Sequence, residues 1–357
     1  MPRIRASLMA PLSAIALLAA ACGTSSADAA GDSNANCTPA ESPIVTVTAY
    51  SNVYDTYGKL ISTFQSDWKE QHNDQQVQFS TSFGGSTTQA QNVVSGFPAD
   101  IAALSLTPDV DLIKDAGLIT HDYTQDPEGS FVASSAVVFD VRPGNPLNIQ
   151  NWGDLAKPGV EILTPDPASS GGARWNIVAA YGAAMRGEVP GYAANDPADA
   201  ERLLTDIFKN VTVMDKSAND SIKNFQAGNG DVAITYEYAV LAAQAQGLPD
   251  EMVIPPSTVA IQTPTVVIDK NAQAHCVQDV AAAFVDFLHT DAAKEIFTDV
   301  GYERSTDLKA AQSGEKGTFE PIDDLFTTDD LGGWDQLDKT VFGPEGAFTK
   351  ALAAAQG

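Results

Sequence analysis

Positive charge is scarce in this chain. Twenty lysines and arginines stand against 46 aspartates and glutamates, a formal net charge of −26 over 357 residues. Binding to nucleic acid needs basic stripes, so that class is excluded. The same field repels small anions at long range, so an anion site here must work through local dipoles. Histidine and cysteine are also sparse, at four and three residues. His72, His121, His275 and His289 are never paired at the four-residue spacing of a helical metal site, and no Cys/His cluster suits zinc. The acidic runs Asp323-Asp324 and Asp329-Asp330 lack a calcium-loop pattern and read as solvated face. Beyond the N-terminus no segment reaches the roughly 18 apolar residues of a membrane span. Internal repeats are absent as well.

The N-terminus itself reads as an export signal. Arg3 and Arg5 precede an apolar stretch, Leu12 to Ala21, and then Cys22. Leu18-Ala-Ala-Ala-Cys22 is similar to a bacterial lipobox, with Leu18 one place earlier than usual. This predicts a signal peptide over 1–22, lipidation of Cys22 and a protein tethered outside the cytoplasmic membrane. The alternative is an ordinary secretory signal with an incidental cysteine. Residues 23–42, rich in Ala, Ser, Asp, Asn and Gly, read as a flexible stalk. Outside the cytoplasm the two remaining cysteines, Cys37 and Cys276, favour a disulfide, with two free thiols as the alternative.

The mature length exceeds one typical domain, so two lobes are expected. From Ile44 onward strand-like and helix-like segments alternate, and Tyr57, Leu60, Ile61, Phe64 and Trp68 recur at helical spacing as core. This rhythm predicts a mostly parallel, doubly wound α/β sheet. Residues 43–130 would form the first part of one lobe, 131–255 the second lobe, 256–315 the return to the first, and 316–357 a C-terminal helical segment. Thr258–Ile261 and Thr265–Ile268 read as two separate strands of that return. Clefts between such lobes are preferred ligand sites.

One stretch carries more chemistry than the rest: Thr164-Pro-Asp-Pro-Ala-Ser-Ser-Gly-Gly-Ala-Arg-Trp-Asn176. Two prolines end a strand-like segment, and Ser-Gly-Gly opens a helix-like run from Ala173 to Met185. The first amides of a helix lack internal partners and lie at the positive end of its dipole. Glycines let an anion approach them, and Ser170 adds a hydroxyl. A second turn of the same build, Ser82-Phe-Gly-Gly-Ser-Thr-Thr-Gln89, falls in the other lobe. Tyr50-Ser51-Asn52 and Asp215-Lys-Ser-Ala-Asn-Asp-Ser221 repeat the strand-to-helix arrangement, and all four turns have a plain helix cap as the alternative. Ser170 lacks the Gly-x-Ser-x-Gly elbow of a nucleophile, and neither glycine turn carries the Lys-Ser/Thr of a nucleotide P-loop.

From Val45 to about residue 350 the chain resembles the sulfate-binding proteins of bacterial ABC importers. Lys157-Pro-Gly-Val, Thr164-Pro-Asp-Pro and Ser170-Gly-Gly-Ala-Arg-Trp-Asn176 carry the resemblance. Phe83-Gly-Gly-Ser86, Arg142-Pro-Gly-Asn-Pro146, Lys209-Asn-Val211, Gly230-Asp-Val232 and Leu331-Gly-Gly-Trp334 support it. It implies a two-lobed Venus-flytrap fold, the type II periplasmic-binding-protein α/β architecture with doubly wound mixed sheets. It also implies sulfate held by uncharged donors: the Ser170 hydroxyl, and the amides of Gly171, Gly172, Ser86, Ala218 and Ser51. The family's indole donor falls on Tyr236, whose phenol still donates. Ser51 replaces a family aspartate, Asn219 an arginine and Phe83 a histidine. The implied partners are ABC permease subunits with a cytoplasmic ATPase, and a membrane reached through the lipid anchor alone. No catalytic residue, cofactor or metal is implied, and a monomer is expected. Sulfate carries no proton near neutral pH, so a donor-only site suits it. Alternatives are thiosulfate, molybdate or another tetrahedral oxyanion, an exported serine hydrolase using Ser170, and a surface adhesion module.

Overall fold

The computed structural model describes Cys37 and residues 40–356. The expected signal segment, Cys22 and most of the stalk lie outside the described residues. β1 (Ile44–Tyr50), α1 (Tyr54–Gln71), β2 (Gln78–Gly84), α2 (Ser86–Val94), β3 (Ile101–Ala103) and α3 (Thr107–Asp115) build the start of the first lobe. β1 is buried on both faces from Val47 onward, as a central strand under two helical layers must be. The apolar stripe of α1 seats Phe64 against Phe284 and Phe287, ring centroids 5.2 and 5.7 Å away.

β4 (Phe131–Val141) leads to the second lobe, with α4 (Trp152–Leu155), β5 (Ile162–Pro165), α5 (Gly171–Arg186), α6 (Pro197–Phe208), β6 (Val211–Asp215), α7 (Ala218–Gln226), β7 (Val232–Tyr236), α8 (Glu237–Ala245) and β8 (Glu251–Val253). β9 (Ser257–Val267) returns to the first lobe, followed by α9 (Asp269–Ala274), α10 (Gln278–Leu288) and α11 (Asp291–Asp299). The C-terminal part, α12 (Leu308–Ser313), β10 (Asp324–Phe326), α13 (Trp334–Thr340) and α14 (Ala347–Ala355), leans on the second lobe, where Phe348 meets Phe208 of α6. Among the described residues no helix is long and apolar enough to cross a membrane.

The strands run in the order β2-β1-β3-β9-β4-β7-β5-β6. Parallel pairing is confined to β1 with β2 and β3, β5 with β6 and β7, and β10 with β9. The sheet is mixed: β4 and β9 pass between the lobes and pair antiparallel with each other, β4 also with β7 and β8 and β9 also with β3. β9 is one continuous strand where the sequence suggested two. Pro264 sits inside it opposite Phe131, and a register shift between Phe131 and Ala133 accommodates a residue with no N–H to give.

Beside this crossing the Arg304 backbone exchanges hydrogen bonds with Ser134, and its guanidinium forms a fully buried pair with Glu237 (Nη2–Oε1 2.7 Å). Asp324 departs from the solvated face expected of it: it is partly buried and accepts from Arg186 Nε (2.7 Å) and the Ser257 hydroxyl (2.6 Å). Cys37 and Cys276 are joined by a disulfide that spans 239 positions of sequence.

Candidate functional site

The Thr164–Asn176 stretch folds as a strand end, a tight turn and a buried helix. Asp166 organises the turn: its carbonyl accepts from the amides of Ser169 (3.1 Å) and Ser170 (2.9 Å), and its own amide reaches Asp215 O (2.7 Å). Ser170 is the N-cap of α5 in extended conformation, and its hydroxyl makes no cap bond. The helix begins at Gly171, two residues before the expected start, so Gly171 and Gly172 supply first-turn amides with no partner inside the helix. Asn176 fixes this end of α5 by donating to Thr164 Oγ1 (3.0 Å) and Ile234 O (2.8 Å).

Gly172 is the meeting point of the second-lobe groups. A Cβ placed on it would lie 3.4 Å from the Ala218 Cβ, 3.4 Å from Ser170 Oγ and 3.5 Å from the Tyr236 ring. Ala218 opens α7, whose Ser217 cap accepts from the Asp220 amide at 3.1 Å. Tyr236 ends β7. Its hydroxyl is buried without a hydrogen-bond partner. Burial raises its pKa well above the usual phenol value, the Ser105 hydroxyl offsets part of that rise, and Asp109 and Glu303 add to it. The group stays a neutral phenol, a donor at any physiological pH.

The first lobe contributes the start of α2. Ser86 is buried and its hydroxyl is committed: it donates to Asp109 Oδ2 (2.6 Å) and accepts from the Ser105 amide (3.0 Å). Only its amide is left for a ligand. Burial pushes the Asp109 carboxyl up to about 6, against the lowering effect of the Ser86 and Thr87 hydroxyls. The lobes touch here. Thr88 donates to Ser169 O through its amide (3.4 Å) and its hydroxyl (3.3 Å), and Trp175 Nε1 donates to Ser105 O (2.6 Å).

Ser51 lies at the edge of this cluster, beside α7. Its hydroxyl donates to Asn52 Oδ1 (2.8 Å), and it borders a cavity of about 390 Å³ that Asn52 and Tyr54 share with Asn219, Lys223 and Tyr238 of the second lobe. Ser170, Gly171, Gly172, Ala218 and Tyr236 thus share one neighbourhood, Ser86 joins it through Ser105, and Ser51 edges it beside α7. None of the contacts just given involves a lysine, arginine or histidine around the Gly171–Gly172 turn. Ser105 and Asp109 escaped the sequence reading. Ser105 lies between two leucines with no glycine or cap pattern, so nothing local marks it. Among the described residues no cluster of His, Cys, Asp or Glu is placed to hold a metal ion.

Residues 45–303 match the family described as "Bacterial extracellular solute-binding protein". The chain belongs to this family. The sulfate-binding protein of Synechococcus elongatus is 36% identical over 95% of this chain and 93% of its own length. That of Escherichia coli is 38% identical over 84% of this chain and 90% of its own. A thiosulfate-binding protein of Escherichia coli is 31% identical over 86% of this chain and 90% of its own. Among solved structures, the sulfate-binding protein SubI from Mycobacterium tuberculosis superposes with a TM-score of 0.74 at 31% identity, covering 83% of this chain and 98% of that one.

Proposed function

We propose that this solute-binding protein captures sulfate between its lobes and delivers it to the permease of an ABC importer. The observation that supports this most is the donor set. First-turn amides of α5 and α7, the Ser170 hydroxyl and an unpartnered Tyr236 phenol gather at one point, with the α2 amide of the facing lobe beside them. Each brings hydrogen-bond donors and no formal positive charge. Helix N-termini concentrate partial positive charge where the amides point. A hydrogen bond to a charged group contributes about 1.5–3 kcal/mol, so a handful of them suffices for roughly micromolar binding after closure costs. A fully deprotonated ion needs donors only. In this reading the ligand contacts are Ser170, Gly171, Gly172, Ala218, Tyr236, Ser86 and Ser51, and no chemistry is done on the ion. Cys22 is the membrane anchor, and lobe closure is the signal that the permease reads.

Isothermal calorimetry tests the assignment. Ser170→Ala should weaken sulfate binding by about 1–3 kcal/mol. Gly172→Asp should abolish it, since its side chain would fill the space shared by Ala218, Ser170 and Tyr236 and bring a negative charge there. Unchanged affinity in both variants removes the turn from the site. Competition by thiosulfate and molybdate in the same titration ranks the ligands, and tighter binding of either than of sulfate reassigns the cargo.

A further inference from the structure

Ser105 follows β3 and faces α5 across the seam between the lobes. Its backbone is held from both sides. The amide donates to Ser86 Oγ (3.0 Å), and the carbonyl accepts from Trp175 Nε1 (2.6 Å) of the opposite lobe. The hydroxyl, by contrast, is buried and has no partner. A buried hydroxyl without a partner is destabilising and calls for a reason. This one points at the turn that opens α5: a Cβ on Gly171 would stand 2.2 Å from Ser105 Oγ. The Tyr236 hydroxyl, also without a hydrogen-bond partner, belongs to the ring that a Cβ on Gly172 would approach to 3.5 Å. Two enclosed hydroxyl-bearing side chains, one from each lobe, therefore border the Gly171–Gly172 turn.

We propose that Ser105 is a further ligand-contacting residue, its hydroxyl donating to the bound oxyanion beside that of Tyr236. The inference rests on the sulfate reading above and adds a first-lobe side chain to a set drawn mostly from the second. The Ser105 amide is held within its own lobe by Ser86 Oγ and its carbonyl is held once the lobes meet, so its donor comes with little ordering cost. A hydroxyl can also turn to accept, which an amide cannot. Ser105 thus joins Ser170 and Tyr236 as the hydroxyls where the site tolerates a proton on the ligand.

The two roles open to Ser105, structural or ligand-contacting, predict opposite signs. Ser105→Ala removes an unpaired group from the ligand-free protein, so its melting temperature without sulfate should stay the same or rise. Its sulfate dissociation constant, measured by calorimetry on the full protein, should rise tenfold or more. Affinity within twofold of wild type overturns the proposal, as does a loss of affinity matched by a fall in the ligand-free melting temperature. A wild-type protein that does not bind sulfate overturns the parent reading and this inference with it. Sulfate binding by wild type with an indifferent Ser105→Ala overturns this inference alone.

Discussion

Gly85 makes the sharpest test of closure. It precedes α2 with φ −59° and ψ 131°, a conformation open to any L-residue, so its lack of a side chain is not a backbone requirement. What it lacks is room. A Cβ there would lie 2.3 Å from Ser169 O and 3.1 Å from Lys216 O, both backbone atoms of the opposite lobe. Neither can swing aside as a flexible side-chain tip would. Gly85→Ala therefore leaves each lobe unstrained and forces the two apart by about the deficit from ordinary contact, roughly 1 Å. That loosens the Thr88 bonds to Ser169 O, already at 3.3–3.4 Å, and withdraws the α2 amide from the second-lobe donors. Forced separation of a packed contact costs about 1–3 kcal/mol. The sulfate dissociation constant should rise by roughly five- to 150-fold, at 1.4 kcal/mol per tenfold. Calorimetry reads the affinity, and small-angle scattering with and without sulfate reads the compaction. Gly58→Ala is the control: it sits exposed in α1 with nothing within 4 Å, should leave affinity alone and should raise stability by about 0.5–1 kcal/mol. Unaltered affinity and compaction in Gly85→Ala would refute closure onto this contact.

Two other perturbations address the frame around the cleft. Glu303 is buried with neither oxygen hydrogen-bonded, and burial lifts its pKa to about 8, with Tyr50 offsetting part of the rise. The folded protein then holds a proton that the unfolded chain releases near its ordinary value of about 4.3, so stability should fall as pH rises from there to 8. Glu303→Gln should flatten that fall, with urea midpoints that converge with wild type at pH 5 and exceed it at pH 9; parallel curves would refute the assignment. Asp140, lifted to about 8 by burial and by Asp250, contributes a residual slope in the variant. The Cys37–Cys276 bond closes a loop of 239 positions, worth up to about 5 kcal/mol on the loop-entropy relation. Cys276→Ser, or a thiol reductant on wild type, should lower the melting temperature equally, and reductant should have no further effect on the variant.

The parts of the fold that local chemistry dictates were legible in the amino-acid order. The stripe from Tyr57 to Trp68 can only be one face of a helix, and Pro-Asp-Pro followed by Ser-Gly-Gly can only end a strand and start a helix. The parts that escaped depend on distant partners. The segments on either side of Pro264 read as two strands, and the shift at Phe131 that lets β9 run through lies on another strand. Asp324 sits in an acidic run that looks solvated until Arg186, 138 residues away, is brought against it. Ser105 is the extreme case. Between Leu104 and Leu106 it looks like the frayed end of a strand, and only the approach of Gly171 gives its hydroxyl an address. A hydroxyl among leucines carries no periodicity or cap signature, so no local reading could have singled it out.

An acidic exterior and an anion-binding cleft are compatible because they act over different ranges. Exposed charges are screened beyond about 8–10 Å at physiological ionic strength, and helix N-termini act only within their first turn. The acidic surface therefore influences arrival, while the local dipoles decide retention. In the proposed reading the retaining donors come from both lobes: α5, α7 and Tyr236 on one side, and the amides of α2 and Ser51 with the Ser105 hydroxyl on the other. Parting the lobes removes part of that set at once and readmits water to the rest. With no lysine or arginine paired to the ion, departure leaves no buried cation to be neutralised. The cost of release is then the loss of hydrogen bonds alone, which water replaces as the cleft opens. A site built on a buried ion pair would instead strand an uncompensated charge on opening, at several kcal/mol. Neutral donors split across a hinge thus make grip and release depend on one coordinate, the separation of the lobes, and that is the coordinate Gly85→Ala perturbs.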